Sequence, residues 1–326
     1  MNNKFATILA IAIAFAITNT SALKIRGSTI TNTRDDEEQQ LNLPRRHLLE
    51  DEYELVLYKK IISWPDREEL SWSCEFPRAY AQENFGGRDI MGIVGLNKED
   101  IDSRNAVSGE SIMKISGAYV EQFLDSATYV SASDNDGEDI KLVVTNPAAV
   151  IIESITENDI RHHRYHKNRR LSKKRNTGVI KTLVVRPTSP NGSVVEESAA
   201  QLRSDVFEDD VCLKSQMEAC SFNQLEIQPA NVGDGGVVDI YIDINPTTDN
   251  DNSRQGNRGP LAESAVATTD ILYGGNDGLA AEFDLVIFCL PPGSGEWDAF
   301  AYFNRYDSYY NKNRCSASGV LMHEVG

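Results

Sequence analysis

A mixed α/β fold, with helices around a mostly parallel or mixed sheet, is what three patterns in this sequence predict. Val238, Ile240, Ile242 and Ile244 alternate with Asp239, Tyr241 and Asp243, the two-residue period of a half-buried strand. Phe283 to Leu290 is apolar at every position but Asp284, as expected for a central strand covered on both faces. Leu202 with Val206, and Leu213 with Met217 and Cys220, recur at helical spacing and predict helices whose apolar sides pack on a sheet.

The chain has 326 residues, 40% of them apolar, enough for two domains with cores. It opens with Lys4, an apolar run from Phe5 to Ile17 and small polar residues ending at Ala22, which predicts a signal peptide over 1–22. A run of thirteen residues, apolar but for Thr7, is too short to cross a bilayer core that takes about twenty. The chain is therefore expected to be secreted, without a membrane anchor after signal removal.

Residues 23–50 are polar and read as a flexible lead-in. Strand-like runs follow at Tyr53–Tyr58, Ile90–Leu96, Tyr119–Ala132 and Ile140–Ile155, with a hairpin-type turn at Asp134-Asn-Asp-Gly137, so 51–160 is expected to be β-rich. Arg161 to Arg175 then carries eight Arg or Lys and no acid, inside a chain whose net charge is −17. So acidic a protein is not built to bind nucleic acid. Paired cations in an exposed stretch suit a processing protease, and cutting after Lys174-Arg175 is expected; an inert linker and a polyanion-binding strip are the other readings.

Beyond it, Val179–Val185 reads as a strand, and Ser193 with Glu196 as a capping box that starts a helix. Pro246–Arg258 reads as a long loop, Gly233-Asp-Gly-Gly236 as a turn, and Asn191-Gly-Ser193 as a glycosylation acceptor.

The chain ends Met322-His-Glu-Val-Gly326. In a zinc-protease helix, two histidines four residues apart bind the metal from one face, and the Glu beside the first acts as general base. His323 and Glu324 would be the first half of that arrangement, after the apolar lead Gly319-Val-Leu-Met322.

Phe288-Cys-Leu-Pro-Pro-Gly293, Trp297, Ala299-Phe-Ala-Tyr-Phe-Asn304, Tyr309-Tyr-Asn311, Cys315 and the Met-His-Glu-Val-Gly end occur in that order. Together with Lys181–Pro187 and Leu213–Phe222 they resemble the catalytic domain of the gametolysin family of metallopeptidases, over roughly residues 179–326. The resemblance implies a metzincin-like α/β (α+β) catalytic domain with a mixed twisted sheet, preceded by a β-rich pro-domain. It implies Zn2+ as cofactor, His323 as one of three zinc ligands, and Glu324 as the base acting on zinc-bound water. Substrates would be extracellular matrix or cell-wall proteins or glycoproteins.

The implied organisation is a signal peptide over 1–22, a pro-region over 23–175 and the N-terminal part of a peptidase domain over 176–326, whose remaining ligands would lie past Gly326. The alternative is a secreted, non-catalytic wall-binding or inhibitory protein with a relic peptidase domain. Within the region of resemblance Cys212, Cys220, Cys289 and Cys315 form an even set, so Cys212–Cys220 and Cys289–Cys315 are expected as local disulfides. Cys74 is left over, either as a thiolate that holds the zinc site latent or as a structural or intermolecular thiol.

Overall fold

Apolar residues at alternate positions of a strand face opposite sides of a sheet, so a strand that is apolar throughout needs a layer on each side. The computed structural model describes residues 45–49, 53–85, 89–122, 140–155, 177–247 and 256–325, all within one compact unit, Asn42–Gly326. The expected signal peptide, the expected turn at Asp134–Gly137 and the basic stretch with Lys174 and Arg175 lie outside the described residues.

Fourteen strands form one mixed sheet. Its first part contains β1 (Arg45–Leu48), β2 (Tyr53–Ser63), β3 (Glu68–Glu75), β4 (Ile90–Val94), β5 (Ser111–Ile115), β6 (Tyr119–Gln122), β7 (Ile140–Val143) and β8 (Ile151–Ser154). Two short helices, α1 (Arg78–Asn84) and α2 (Lys98–Ser103), accompany them. The second part contains β9 (Gly178–Thr188), β10 (Leu225–Pro229), β11 (Val237–Tyr241), β12 (Leu285–Leu290), β13 (Ala299–Tyr302) and β14 (Asp307–Asn311). Its helices are α3 (Ala199–Arg203), α4 (Leu213–Cys220), α5 (Arg258–Tyr273), α6 (Leu279–Glu282) and α7 (Ser318–Val325).

In this second part β10, β11 and β12 pair parallel with β9, and β14 pairs parallel with β12. Only β13 runs antiparallel, between β14 and β2. β12 is buried at all six positions. Its alternate residues divide between two cores: Val286 and Phe288 pack with Leu183, Val185 and Leu261, while Leu285 and Ile287 pack with Val184, Leu202, Leu213 and Leu321. The first core is covered by α5 and the second by α3, α4 and α7, the layered solution that two-sided burial requires. Val56, Tyr58, Ile62 and Trp64 from β2 and its following turn belong to the first of these cores. Leu55 and Leu57, on the opposite face of β2, join a third core with Cys74, Met91 and Leu142.

Several local expectations are corrected. Residues 45–48, assigned to a flexible lead-in, form β1, whose backbone pairs with β6. Ser193 does not cap a helix. Its carbonyl accepts from Ser189 N–H at 2.9 Å and Arg186 Nε donates to Glu197 O at 2.8 Å, so this stretch is held as a loop, and Ser198 caps α3 by accepting from Gln201 N–H. Arg258, placed at the end of a loop, opens the sixteen-residue α5. The Gly233–Gly236 turn is as expected. Gly233 has φ 60°, and a Cβ there would lie 2.1 Å from Val237 O, so only glycine fits. Among the described residues no helix is long and apolar enough to cross a membrane.

Candidate functional site

The last strand delivers the chain to α7 through a covalent tie. After β14 a short turn, Arg314–Ser316, places Cys315 in a disulfide with Cys289 of β12, with their Cα atoms 5.7 Å apart. This pair is the one expected from the sequence. The other is not formed, because Cys212 caps the start of α4 and Cys220 ends it. Eight residues of helix separate their Cα atoms by about 12 Å, roughly twice what a disulfide spans. Cys212 is buried and Cys220, placed in the core by its spacing, is exposed.

Leu321 is fully buried, and Val320, Met322 and Val325 pack beside it on the second core. That orientation turns Glu324 and His323 toward β13 and the β2–β3 turn. Ser63, the last residue of β2, donates its hydroxyl to Glu324 Oε1 at 2.7 Å across a sequence separation of 261 residues. Glu324 Oε2 is buried with no hydrogen-bond partner among the described residues. Burial pushes the Glu324 carboxyl up to about 7, opposed by the Ser63 hydrogen bond and the nearby His323. His323 Nε2 lies 3.3 Å from Glu68 Oε1 at the start of β3. The two residues border an open cleft of about 620 Å³ that Trp64, Arg67 and Asp298 also line.

Ser63 and Glu68 carry no signal in the sequence, since nothing local links a hydroxyl near the chain start to a helix at its end. The proposed latency thiol is elsewhere. Cys74 is fully buried in the third core, with its Sγ donating to Met91 O at 3.6 Å. Six residues of β3, about 20 Å of extended chain, separate it from the Glu68 that touches His323. A rigid strand therefore holds the thiol away from the imidazole. The described residues contain no cluster of three or more His, Cys, Asp or Glu side chains able to hold a metal.

A second polar constellation ties the two parts of the sheet together. Arg305, buried among Glu75, Asp89 and Asp307, lies 3.6 Å from Glu75 and 3.3 Å from Asp89, and also pairs with Asp307. Tyr309 donates its hydroxyl to Asp307 at 2.5 Å, and Tyr58 to Glu75 at 3.1 Å. Burial pushes the Glu75 carboxyl up to about 8 against the pull of Arg305, and raises that of Asp89. One guanidinium cannot compensate three carboxylates gathered around it, so the protonated form of Glu75 is favoured.

The sign of the linkage follows from this raised value. The folded chain keeps a proton on Glu75 up to about pH 8, whereas the unfolded chain gives it up near the ordinary carboxyl value of 4.5. Stability therefore falls as pH rises from 4.5 to 8, with a slope of up to about 1.4 kcal/mol per pH unit from this group. Glu75→Gln keeps an acceptor for Tyr58 and is expected to remove that slope. Urea unfolding at pH 5 and pH 8 checks it: the variant should gain on the parent at pH 8, and equal differences at both pH values would refute the assignment.

Compared with known proteins, the chain matches no family model, no curated protein and no solved structure.

Proposed function

We propose that the chain is the precursor of a secreted zinc metalloendopeptidase of the gametolysin type. Residues 23–175 act as a pro-region and residues from 176 carry a metzincin-like catalytic part directed at extracellular matrix or cell-wall proteins. The observation that carries this reading is the position of Glu324. An extended strand lying on β13 passes directly in front of it, close enough for Ser63 to hydrogen-bond one carboxylate oxygen while the other stays buried without a partner. A peptide held in that way would present its backbone to a carboxylate that can accept a proton. A second link is the ordered set of motifs from Phe288 to Gly326, which a chance His-Glu pair would not bring with it.

The work of the chain's own residues follows from this geometry. With β2 displaced, β13 would orient an extended peptide through the backbone groups that β2 occupies, as a sheet edge does for any added strand. Glu324 Oε2 takes the proton from the water that attacks the scissile carbonyl and passes it to the departing amine, so that one peptide bond and one water become a carboxylic acid and an amine. Zinc enters the reading as a cofactor that needs more donors than those described here. His323 and Glu68 are one imidazole and one carboxylate, and a catalytic zinc takes three protein ligands.

The reading demands a second imidazole one helical turn after His323. In the transcript read past codon 326, a histidine is expected at position 327 and another six residues further on. A stop codon directly after Gly326, or another residue at position 327, would overturn the zinc peptidase reading in favour of a non-catalytic secreted protein.

A further inference from the structure

We propose that the space between α5 and the sheet is a binding site for a small organic molecule that carries one carboxylate and an apolar body. The site goes beyond the peptidase reading and does not depend on it, because it lies on the other face of the sheet from α7. Phe300 and Tyr309 point into the first core, under α5, whereas their neighbours Ala299 and Tyr310 point into the second, with Leu321 of α7. The cavity measures about 470 Å³, a size usual for small-molecule sites. Its α5 wall includes the small residues Gly259 and Ala262, which leave room in front of the rings of β13 and β14. Those rings form a fixed apolar layer: Phe300 stacks on Tyr309 with centroids 4.4 Å apart, and Tyr309 on Phe288 at 5.1 Å.

The depth of each charge decides which end of a ligand goes in. Three cations, Lys60, Arg258 and Arg305, and three acids, Asp89, Asp243 and Glu263, line the cavity. The cations lie deep, with exposures of 2%, 0% and 7%. Asp243 is exposed, and Asp89 and Glu263 are half-buried, so the acids stand nearer the solvent. Arg305 is held by Asp89 and Asp307, and Asp243 accepts from the Ser264 hydroxyl at 2.6 Å. Lys60 and Arg258 are therefore the cations that an entering group meets. Lys60 Nζ lies 5.3 Å from the ring centroid of Phe300 and 5.5 Å from that of Tyr302, and the Arg258 guanidinium lies 5.5 Å from the ring of Trp64. With these ring faces already taken by cations of the chain, a cationic ligand is repelled and an anionic one is drawn in. The start of α5, which no side chain caps, adds positive potential at the same place. Because the acids are as many as the cations, one negative charge is matched and a dianion is not.

The test titrates the full chain by calorimetry with phenylbutyrate and with its amide, which has the same body and no charge. The acid is expected to bind at least about tenfold tighter than the amide, the worth of one charge-assisted hydrogen bond. Lys60→Met keeps the length of the side chain and removes its charge, so it should weaken the acid about tenfold and leave the amide unchanged. If Lys60→Met does not fold, Ala267→Trp carries the test from an exposed position on the cavity wall. There the indole fills the space and should weaken acid and amide alike, by about tenfold or more. Equal affinities for acid and amide, an acid affinity unchanged in folded Lys60→Met or in Ala267→Trp, or no binding of either compound up to about 10 mM would overturn the proposal.

Discussion

Under the proposed peptidase reading, replacing Glu324 by Gln is expected to reduce kcat for peptide hydrolysis by about 10²- to 10⁴-fold, the usual worth of a positioned general base. The amide keeps the shape of the side chain and an oxygen that can accept from Ser63, so the surrounding packing has no reason to change. It cannot take a proton from water. The structure adds a second signature that a merely damaged protein would not show. The folded carboxyl is raised from 4.5 to about 7, so folding takes up a proton in that window and an ionised Glu324 weighs against the folded state above it. Glu324→Gln should therefore melt no lower than the parent at pH 8, and slightly higher. A variant that retains a tenth of parental kcat, or that loses activity together with stability, would contradict the assigned role.

Breaking the Cys289–Cys315 disulfide with a pair of serines is expected to cost about 3.5 kcal/mol of stability, from the unfolded-state entropy of a loop with a sequence separation of 26. The functional cost should exceed that. Cys289 is in a central strand buried on both faces, and Cys315 lies in the middle of the turn that leads to α7. With the tie gone, α7 depends on the packing of Leu321 and its neighbours alone. Chemical unfolding of parent and variant, under oxidising and reducing conditions, checks the first expectation. The variant and the reduced parent should coincide, and a difference below about 1 kcal/mol between oxidised parent and variant would refute it.

Cys212 and Cys220 show where local reading fails, and the reason is geometric. Their spacing of eight is short in sequence, but a helix converts it into about 12 Å of separation. The 26-residue spacing of Cys289 and Cys315 is closed by the return of the chain along a parallel strand. For Cys74 the sequence left a latency thiol and a structural thiol open, and its full burial in the third core accords with the structural one. The long helix α5 was within reach of the sequence, since Leu261, Ala265 and Thr269 recur at four-residue spacing and are all buried.

The sequence by itself determined the mixed sheet, because β12 is apolar throughout and β11 alternates, and these periods leave each strand one kind of surroundings. It also determined the adjacency of His323 and Glu324 on one helix, which is a matter of neighbouring positions. Only the tertiary structure decided what faces them. Ser63 and Glu68 come from a hairpin more than 250 residues earlier, as the Ser63–Glu324 separation of 261 shows, and reach α7 because β2 pairs with β13. Such pairing is fixed by which edges and apolar faces remain to be covered once the whole sheet is assembled, a property of all the strands together that no single stretch of sequence carries.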